Sequence, residues 1–199
     1  MHNEKAALRT RLLAARRAGS PEERESAARA LAAHAVELAA AGRTVAAYVS
    51  VGAEPGTRPL LDALVARGVR VLLPVLLPDN DLDWARYEGA GQLAPAARGL
   101  LEPTGARLGP DAVTEASVVL LPGLAVDRRG LRLGRGGGSY DRVLARLAAA
   151  GARPLLATLL YEGELLERVP AEPHDLPVDA AVTPSGVHRV GPGAEGATV

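Results

Sequence analysis

Residues 44–75, TVAAYVSVGAEPGTRPLLDALVARGVRVLLPV, carry the pattern that decides the fold. The apolar, β-branched run at 44–50 predicts a buried strand, and residues 69–75 predict a second one. Between them, residues 57–67 have the apolar spacing of a helix, and Gly68 ends it. A strand–helix–strand unit of this kind predicts parallel strands joined by a right-handed crossover.

The same alternation continues toward both ends of the chain. Helices are predicted over residues 3–18, 21 to about 41, and 139–150; buried strands are predicted over 117–121, 155–160 and 179–183. Ser20-Pro21-Glu22-Glu23 predicts a capping box, and Gly42 suits the position after the second helix. Residues 81–87 predict an edge strand or hairpin, and residues 93–103 an irregular return.

These elements predict an α/β fold in one domain over residues 1–190. The expected architecture has three layers, αβα, with a mostly parallel open sheet and helices on both faces. The tail from Pro184 is rich in glycine and is expected to be mobile, and residues 191–199 are expected to form a mobile tail outside the domain.

Composition narrows the functional classes. The formal charge of zero argues against a general nucleic-acid binder. The chain lacks cysteine and has four dispersed histidines, which argues against a zinc site. The chain has no apolar run long enough to predict a transmembrane helix. Its basic N-terminal segment also lacks the long apolar region of a secretory signal. We therefore expect a cytoplasmic protein that binds no membrane, and a monomer because no large apolar face is legible.

A glycine-rich loop, LRLGRGGGSYDR at 131–142, lies between a buried strand and a helix. Its backbone N–H groups and the following helix N-terminus suit an anion. Arg132 and Arg135 add charge and bidentate phosphate contacts. The loop therefore predicts a phosphate cradle, with a flexible surface loop as the alternative. Asp141 could orient an arginine, cap the helix or hold Mg²⁺ among phosphate oxygens.

Two common nucleotide motifs are absent from this loop. Walker A requires a lysine after its second glycine, and none is present. The dinucleotide pattern G-x-G-x-x-G fails at Ser139. The loop must therefore bind its anion in another way.

Several polar residues follow different predicted strands. Glu54 follows the first strand, the segment 122–138 another, and Glu172, His174 and Asp175 a third. Ligands of open α/β sheets bind at the carboxyl ends of strands, so topology directs these residues to one edge. Considered without the others, Glu54 is equally consistent with an acidic residue in an exposed loop. Asp175 is equally consistent with a residue that forms a turn.

Lys5 is the one lysine among 23 lysine and arginine residues. It lies four residues before Arg9, so both side chains project from one helix face. From the residues alone, the favoured interpretation is that this one lysine persists by chance on a solvent-exposed helix face.

The run LLPGLAVDRRGLRLGRGGGSYDRVL, residues 120–144, resembles the signature of the 5-formyltetrahydrofolate cyclo-ligase family. Other marks of the family follow in order along nearly the whole chain. They are KAALR at 5–9, YVSVGAEPGT at 48–57, GLLEP at 99–103 and VPAEPHDLPVD at 169–179.

The resemblance implies an enzyme that uses ATP and Mg²⁺ to convert 5-formyltetrahydrofolate to 5,10-methenyltetrahydrofolate, releasing ADP and phosphate. In that chemistry the γ-phosphoryl group is transferred to the formyl oxygen. N10 then attacks the activated carbon and phosphate departs.

The resemblance also implies roles for particular residues. Arg135 and Lys5 would be catalytic, Asp141 and Asp175 would ligate Mg²⁺, and Val49 and Glu54 would contact folate. ATP would be bound by Lys5, Arg9, Arg132, Leu133, Gly134, Arg135, Gly136, Gly137, Gly138, Ser139 and Tyr140. Of these, the segment from Arg135 to Ser139 would also border the folate.

Three departures from the family pattern bear on the folate side. Ser139 replaces a tyrosine and Val126 replaces a phenylalanine. Pro55-Gly56 replaces the residues that the family usually has between the glutamate and the threonine. They leave open an ATP-dependent ligase or kinase that acts on another small substrate. A non-catalytic relative that binds a nucleotide or RNA is a further alternative, opposed by the retained Asp141 and Asp175 and by the zero net charge.

Overall fold

The computed structural model describes residues 2–40, 42–172 and 175–192. Its α-helices in these ranges are α1 His2–Ala18, α2 Pro21–Ala40, α3 Arg58–Ala66 and α4 Ser139–Ala149. Its strands there are β1 Thr44–Ala46, β2 Arg70–Leu76, β3 Leu82–Tyr87, β4 Leu93–Pro95, β5 Leu101–Pro103, β6 Val118–Pro122, β7 Ala125–Asp127, β8 Arg132–Leu133, β9 Leu155–Leu159, β10 Leu165–Leu166, β11 Ala180–Thr183 and β12 Gly186–Arg189.

The main sheet has the strand order β12-β11-β9-β6-β1-β2-β3 within the described ranges. Its five central strands pair in parallel, and β3 and β12 pair antiparallel at the two edges. The unit β1–α3–β2 is in register from Thr44 opposite Arg70. The mostly parallel open sheet predicted from the sequence is therefore confirmed.

The sheet is covered on both faces, because successive residues of a strand point to opposite sides. In β2, Val71 and Leu73 join the core with α2 and α3, whereas Leu72 joins the core with α4. Each fully buried leucine contributes about 1.5–3 kcal/mol. None of the helices in the described ranges is long and apolar enough to cross a lipid bilayer.

Helix α1 lies against a small sheet of order β10-β7-β8. Leu12 of α1 packs in a separate core cluster with Leu124 and Leu133. The predicted capping box then starts α2: Ser20 N donates to Glu23 Oε2 at 2.7 Å, and Glu23 N donates to Ser20 Oγ at 3.1 Å. The Leu12 cluster thus fixes α1 beside the β6–β8 segment, and the capping box fixes where α2 begins.

Three local predictions were wrong. Strand β1 ends at Ala46 rather than residue 50: Ala47 N still donates to the Leu72 carbonyl, but by Ser50 the backbone N–H donates to Thr57 Oγ1 instead of to a neighbouring strand. Residues 93–103 form the antiparallel β4–β5 pair rather than an irregular return. After Pro184 the chain turns back as β12, paired with β11. Of residues 191–199, Gly191 and Pro192 are described, and Gly191 N donates to the Arg128 carbonyl at 3.0 Å; residues 193–199 lie outside the described ranges.

Asp127 fixes the turn between β7 and β8. Its carboxylate is fully buried and accepts hydrogen bonds from the backbone N–H groups of Arg129, Leu131 and Val169 at 2.9–3.0 Å. The Arg129 guanidinium donates to Oδ2 through both Nε and Nη2. One carboxylate thus ties the strand that precedes the glycine-rich loop to residue 169.

We expect Asp127→Asn to lower the free energy of unfolding by about 2–4 kcal/mol. Both carboxylate oxygens accept N–H donors, so either amide orientation directs an NH₂ group at a donor. Urea unfolding monitored by circular dichroism measures the change. Asp111→Asn, whose side chain is 89% exposed, is the matched control and should change stability by less than about 1 kcal/mol. Equal effects of the two substitutions would contradict this role of Asp127.

Candidate active site

A pocket of about 450 Å³ opens at the carboxyl ends of β1, β2 and β6. It joins the segment after β1, the glycine-rich loop, the end of the β2–β3 hairpin and the β4–β5 segment. Its lining residues are Tyr48, Val49, Val51, Glu54, Pro74, Leu76, Leu82, Arg98, Leu100, Leu101, Glu102, Pro122, Arg132, Gly134, Arg135, Gly136, Gly137, Gly138, Ser139, Tyr140 and Asp141.

The glycine-rich loop presents backbone to this pocket. Gly136 and Gly138 have positive φ values of 95° and 76°, which residues with a side chain rarely adopt. Gly138 is the N-cap of α4, and no side-chain cap bonds to this helix start within the described chain. The first N–H groups of α4 therefore remain available to an anion.

Arg132 is held at the base of the loop. Its two Nη atoms donate to the Pro122 carbonyl and to Asp141 Oδ1, each at 2.9 Å. Its Nε is buried and has no hydrogen-bond partner in the described ranges. Burial lowers the pKa of Arg132, and the charge of Asp141 opposes that shift. A guanidinium remains charged at neutral pH despite such a shift, so the base of the pocket is cationic.

Arg135 and Glu54 meet across the pocket. Arg135 Nη1 donates to Glu54 Oε1 at 3.1 Å, and Val51 N donates to Glu54 Oε2 at 2.9 Å. The carboxylate is largely buried, whereas the Arg135 side chain is 54% exposed. Glu54 is thus fixed by its own turn, and Arg135 is the partner that can move.

Tyr140 provides an unused polar group. Its hydroxyl is buried and has no hydrogen-bond partner among the described residues. Burial, together with the charge of Glu54, raises the pKa of Tyr140 well above its usual value. The phenol is therefore neutral at physiological pH and can donate one hydrogen bond to a ligand.

Lys5, Arg9 and Asp175 lie behind the loop and do not line the pocket. Lys5 Nζ donates to Asp175 Oδ2 at 2.8 Å and lies 3.2 Å from Glu172 Oε2. Burial disfavours the charged amine, but the hydrogen bonds to these carboxylates outweigh it and raise the pKa of Lys5. Arg9 Nε donates to the Gly134 carbonyl at 2.9 Å, so α1 supports the loop directly.

Leu133 and His174 are the remaining residues that the sequence predicted to lie near the site. The Leu133 side chain is buried in the core beside α1, so only its backbone is near the loop. His174 lies outside the described residues. Sequence reasoning missed the apolar wall formed by Pro74, Leu76, Leu82, Leu100 and Leu101. The segment GLLEP at 99–103 was the available signal.

The carboxylates fit a metal that arrives with phosphate better than a resident one. No group of three or more metal-ligating side chains occurs within the described ranges. Asp141 borders the glycine-rich loop, and its side chain is 62% exposed. Mg²⁺ usually binds one or two carboxylates together with substrate phosphates, and Asp141 suits that arrangement.

Arg16 is a structural residue that sequence reasoning did not single out. It lies on the same face of α1 as Lys5 and Arg9, at helical spacing. Its guanidinium donates through Nε and Nη2 to the two oxygens of Glu164 at 2.7 and 2.8 Å, and through Nη2 to the Gly123 carbonyl at 2.7 Å. It also lies 5.5 Å from the ring centroid of Tyr161, whose hydroxyl donates to the Glu54 carbonyl.

A family model described as the 5-formyltetrahydrofolate cyclo-ligase family matches residues 1–184. The chain belongs to this family. It is 45% identical over 185 residues to a 5-formyltetrahydrofolate cyclo-ligase of Mycolicibacterium smegmatis, covering 90% of this chain and 93% of that protein. An Escherichia coli protein of the same name is 34% identical over 146 residues, covering 72% of this chain and 79% of the relative.

Two solved structures have the same fold. The Aquifex aeolicus 5,10-methenyltetrahydrofolate synthetase superposes with a TM-score of 0.78 at 29% identity, over 93% of this chain and 92% of that one. A Mycoplasma pneumoniae 5,10-methenyltetrahydrofolate synthetase gives 0.70 at 20% identity, over 89% and 97%, and supports the fold alone.

We expect Arg16→Met to lower the free energy of unfolding by about 3–5 kcal/mol, because Glu164 then stays buried without its cation. The side chains of Arg16 and Glu164 are only 3% and 7% exposed. The double variant Arg16→Met/Glu164→Met should recover part of the loss, since no unpaired charge remains buried. Urea unfolding of both variants gives the comparison. Strictly additive losses would contradict a coupled pair.

Proposed function

We propose that this protein catalyses the ATP- and Mg²⁺-dependent conversion of 5-formyltetrahydrofolate to 5,10-methenyltetrahydrofolate, with release of ADP and phosphate. One observation carries the proposal: a phosphate-suited glycine-rich loop and the fixed carboxylate of Glu54 face one pocket, joined by Arg135. The family membership supports the same activity.

The loop end of the pocket would bind the ATP phosphates. The backbone N–H groups of the segment 134–138 and the start of α4 suit phosphate oxygens. Arg132 would supply a fixed charge, and Tyr140 a neutral donor. Arg9 holds the loop from behind through the Gly134 carbonyl, and Lys5 lies one helical turn before Arg9 on the same face. Both side chains would contact ATP phosphates that extend past Gly134. Leu133 would contribute through its backbone.

The opposite side of the pocket would bind the folate. Glu54 offers a carboxylate that is already oriented by Val51 N, which suits the N–H donors of a pterin edge. Val49 and the loop from Gly136 to Ser139 would border the ring. Ser139 leaves more room here than the tyrosine usual in the family, so part of the aromatic wall is missing.

The reaction needs the formyl oxygen converted into a leaving group. The γ-phosphorus of ATP forms a bond to that oxygen while its bond to the β-phosphate oxygen breaks. The N10 lone pair then attacks the formyl carbon, the carbon–oxygen bond breaks, phosphate leaves, and N10 loses its proton. Arg135 would stabilise charge on the transferring group, and Lys5 would add positive potential through the loop.

Asp141 would hold Mg²⁺ on the phosphates, and Asp175 would be a second ligand after exchanging its contact with Lys5. The metal, when bound, would neutralise charge on the transferring phosphoryl group.

We further propose a cytoplasmic monomer that binds neither nucleic acid nor membranes. The zero net charge supports the lack of nucleic-acid binding. The described ranges expose few large apolar side chains, Leu108, Leu176 and Val187, which supports a monomer.

Purified protein mixed with 5-formyltetrahydrofolate and MgATP should produce the near-ultraviolet absorbance band of the methenyl product. The increase should require both ATP and Mg²⁺. ATP binding without any absorbance change would contradict the proposed substrate and would favour a ligase or kinase that acts on another small molecule. In that case Ser139 and Val126 are the positions that distinguish the site.

Arg135→Ala should lower kcat by about 10² or more, because a donor to the transferring group is lost. Its thermal unfolding should be nearly unchanged, since the side chain is half exposed. Arg142→Ala is the matched control: its side chain is 51% exposed, and it lies outside the pocket lining. Equal turnover in the two variants would refute the role given to Arg135.

A further inference from the structure

Three of the chain's four tyrosines lie around Glu54. The Tyr161 hydroxyl donates to the Glu54 carbonyl at 3.2 Å, and Tyr48 and Tyr140 line the pocket together with Glu54. The fourth, Tyr87, lies outside the pocket lining. A chain that has no phenylalanine thus places most of its phenol groups beside one carboxylate.

The alternation of residues along β1 and the segment after it directs Tyr48 toward the α4 side of the sheet. Ala46 belongs to the core that includes α4, whereas Ala47 and Val49 belong to the core with α2 and α3. Tyr48 therefore lies on the same face as Ala46, two residues before it. Tyr140, in the first turn of α4, packs against that same core. Tyr48 and Tyr140 thus share one side of the pocket.

The Tyr48 hydroxyl is a polar group that the protein itself leaves unused. The residue is only 4% exposed, yet its hydroxyl, unlike those of Tyr87 and Tyr161, forms no hydrogen bond in the described ranges. Burial, together with the charge of Glu54, raises the pKa of Tyr48 well above its usual value. The hydroxyl is therefore neutral at physiological pH and can donate to a ligand. Buried polar groups of this kind generally have a partner, and the pocket is where one can bind.

A pterin ring presents a matching pattern of polar groups. Its N3–H lies between the 2-amino group and the C4 carbonyl, so the three groups are consecutive along one edge. A carboxylate that accepts hydrogen bonds from the 2-amino group and N3–H therefore has the carbonyl oxygen at its side, where a donor is needed. Glu54 is such a carboxylate, already oriented by Val51 N at 2.9 Å.

We propose that Tyr48 is a further substrate-binding residue, and that its hydroxyl donates to the C4 carbonyl oxygen of the pterin beside Glu54. This assignment rests on the proposed function. C4 is joined through one ring carbon to N5, which carries the formyl group. A hydrogen bond to the carbonyl would therefore also fix the direction of the formyl oxygen relative to the glycine-rich loop. Tyr140, at the start of α4, would remain the donor on the phosphate side.

Tyr48→Phe tests this contact, because it removes one oxygen atom and keeps the aromatic ring. Tyr87→Phe is the matched control: Tyr87 is 2% exposed, and its hydroxyl donates to Asp62, outside the pocket lining. The KM values for 5-formyltetrahydrofolate and for ATP are measured separately, each with the other substrate saturating. Calorimetry without ATP gives the Kd of 5-formyltetrahydrofolate in the absence of turnover.

Tyr48→Phe should raise both the KM and the Kd of 5-formyltetrahydrofolate about five-fold, the loss expected for one hydrogen bond between neutral groups. The KM for ATP should stay unchanged, and kcat should fall by a smaller factor than the KM rises. Tyr87→Phe should match the wild-type protein in all of these constants.

The assignment fails if the wild-type protein converts 5-formyltetrahydrofolate and Tyr48→Phe leaves its KM unchanged, or if the KM for ATP rises equally. It also fails if Tyr87→Phe causes the same rise. A Tyr48→Phe protein that does not fold would contradict it too, because the hydroxyl would then serve the protein's own structure. If the wild-type protein does not convert 5-formyltetrahydrofolate at all, the proposed function itself fails.

Discussion

The arrangement of this molecule depends on one buried ion pair, between Arg16 of α1 and Glu164. The pair costs desolvation, which is repaid by two charge-assisted bonds and by a third bond to the Gly123 carbonyl. It joins the N-terminal helix to the turn after β6 and to the segment before β10. Glu164 Oε2 also accepts a bond from Tyr161 N. Elements that are distant in sequence are thereby held in one place.

The register of α1 turns this anchor into support for the pocket. Lys5, Arg9, Leu12 and Arg16 are spaced by four, three and four residues, so they share one helix face. With Arg16 fixed, Leu12 enters the core beside β7 and β8, and Arg9 reaches the Gly134 carbonyl. On the other side, Tyr161 connects the same pair to Glu54. Both ends of the Arg135–Glu54 contact therefore lead back to the buried pair.

The charged residues around the loop are paired with one another. Lys5 pairs with Asp175, Arg132 with Asp141, and Arg135 with Glu54. Under the proposed function, each pair joins a cation suited to phosphate with a carboxylate suited to metal or pterin. Binding would exchange partners rather than bring isolated charges out of water. An anion that takes Arg135 from Glu54 would free that carboxylate, so the two substrates should favour each other's binding.

The amino-acid sequence by itself determined the β–α–β alternation, the parallel sheet, the capping box and the identity of the glycine-rich loop. These features depend on local periodicity and on residue types whose backbone preferences are strong, such as glycine before α4. The sequence also placed Glu54 and the loop at one sheet edge, because parallel topology carries strand ends together.

Only the tertiary structure decided what depends on contacts across the chain. The β4–β5 pair, the pairing of β12, the leucine wall, the burial of Arg16 and the position of Arg98 all require partners between 3 and about 150 residues away. No local pattern encodes such partners, because their stability comes from burial and pairing that exist only after the chain has folded.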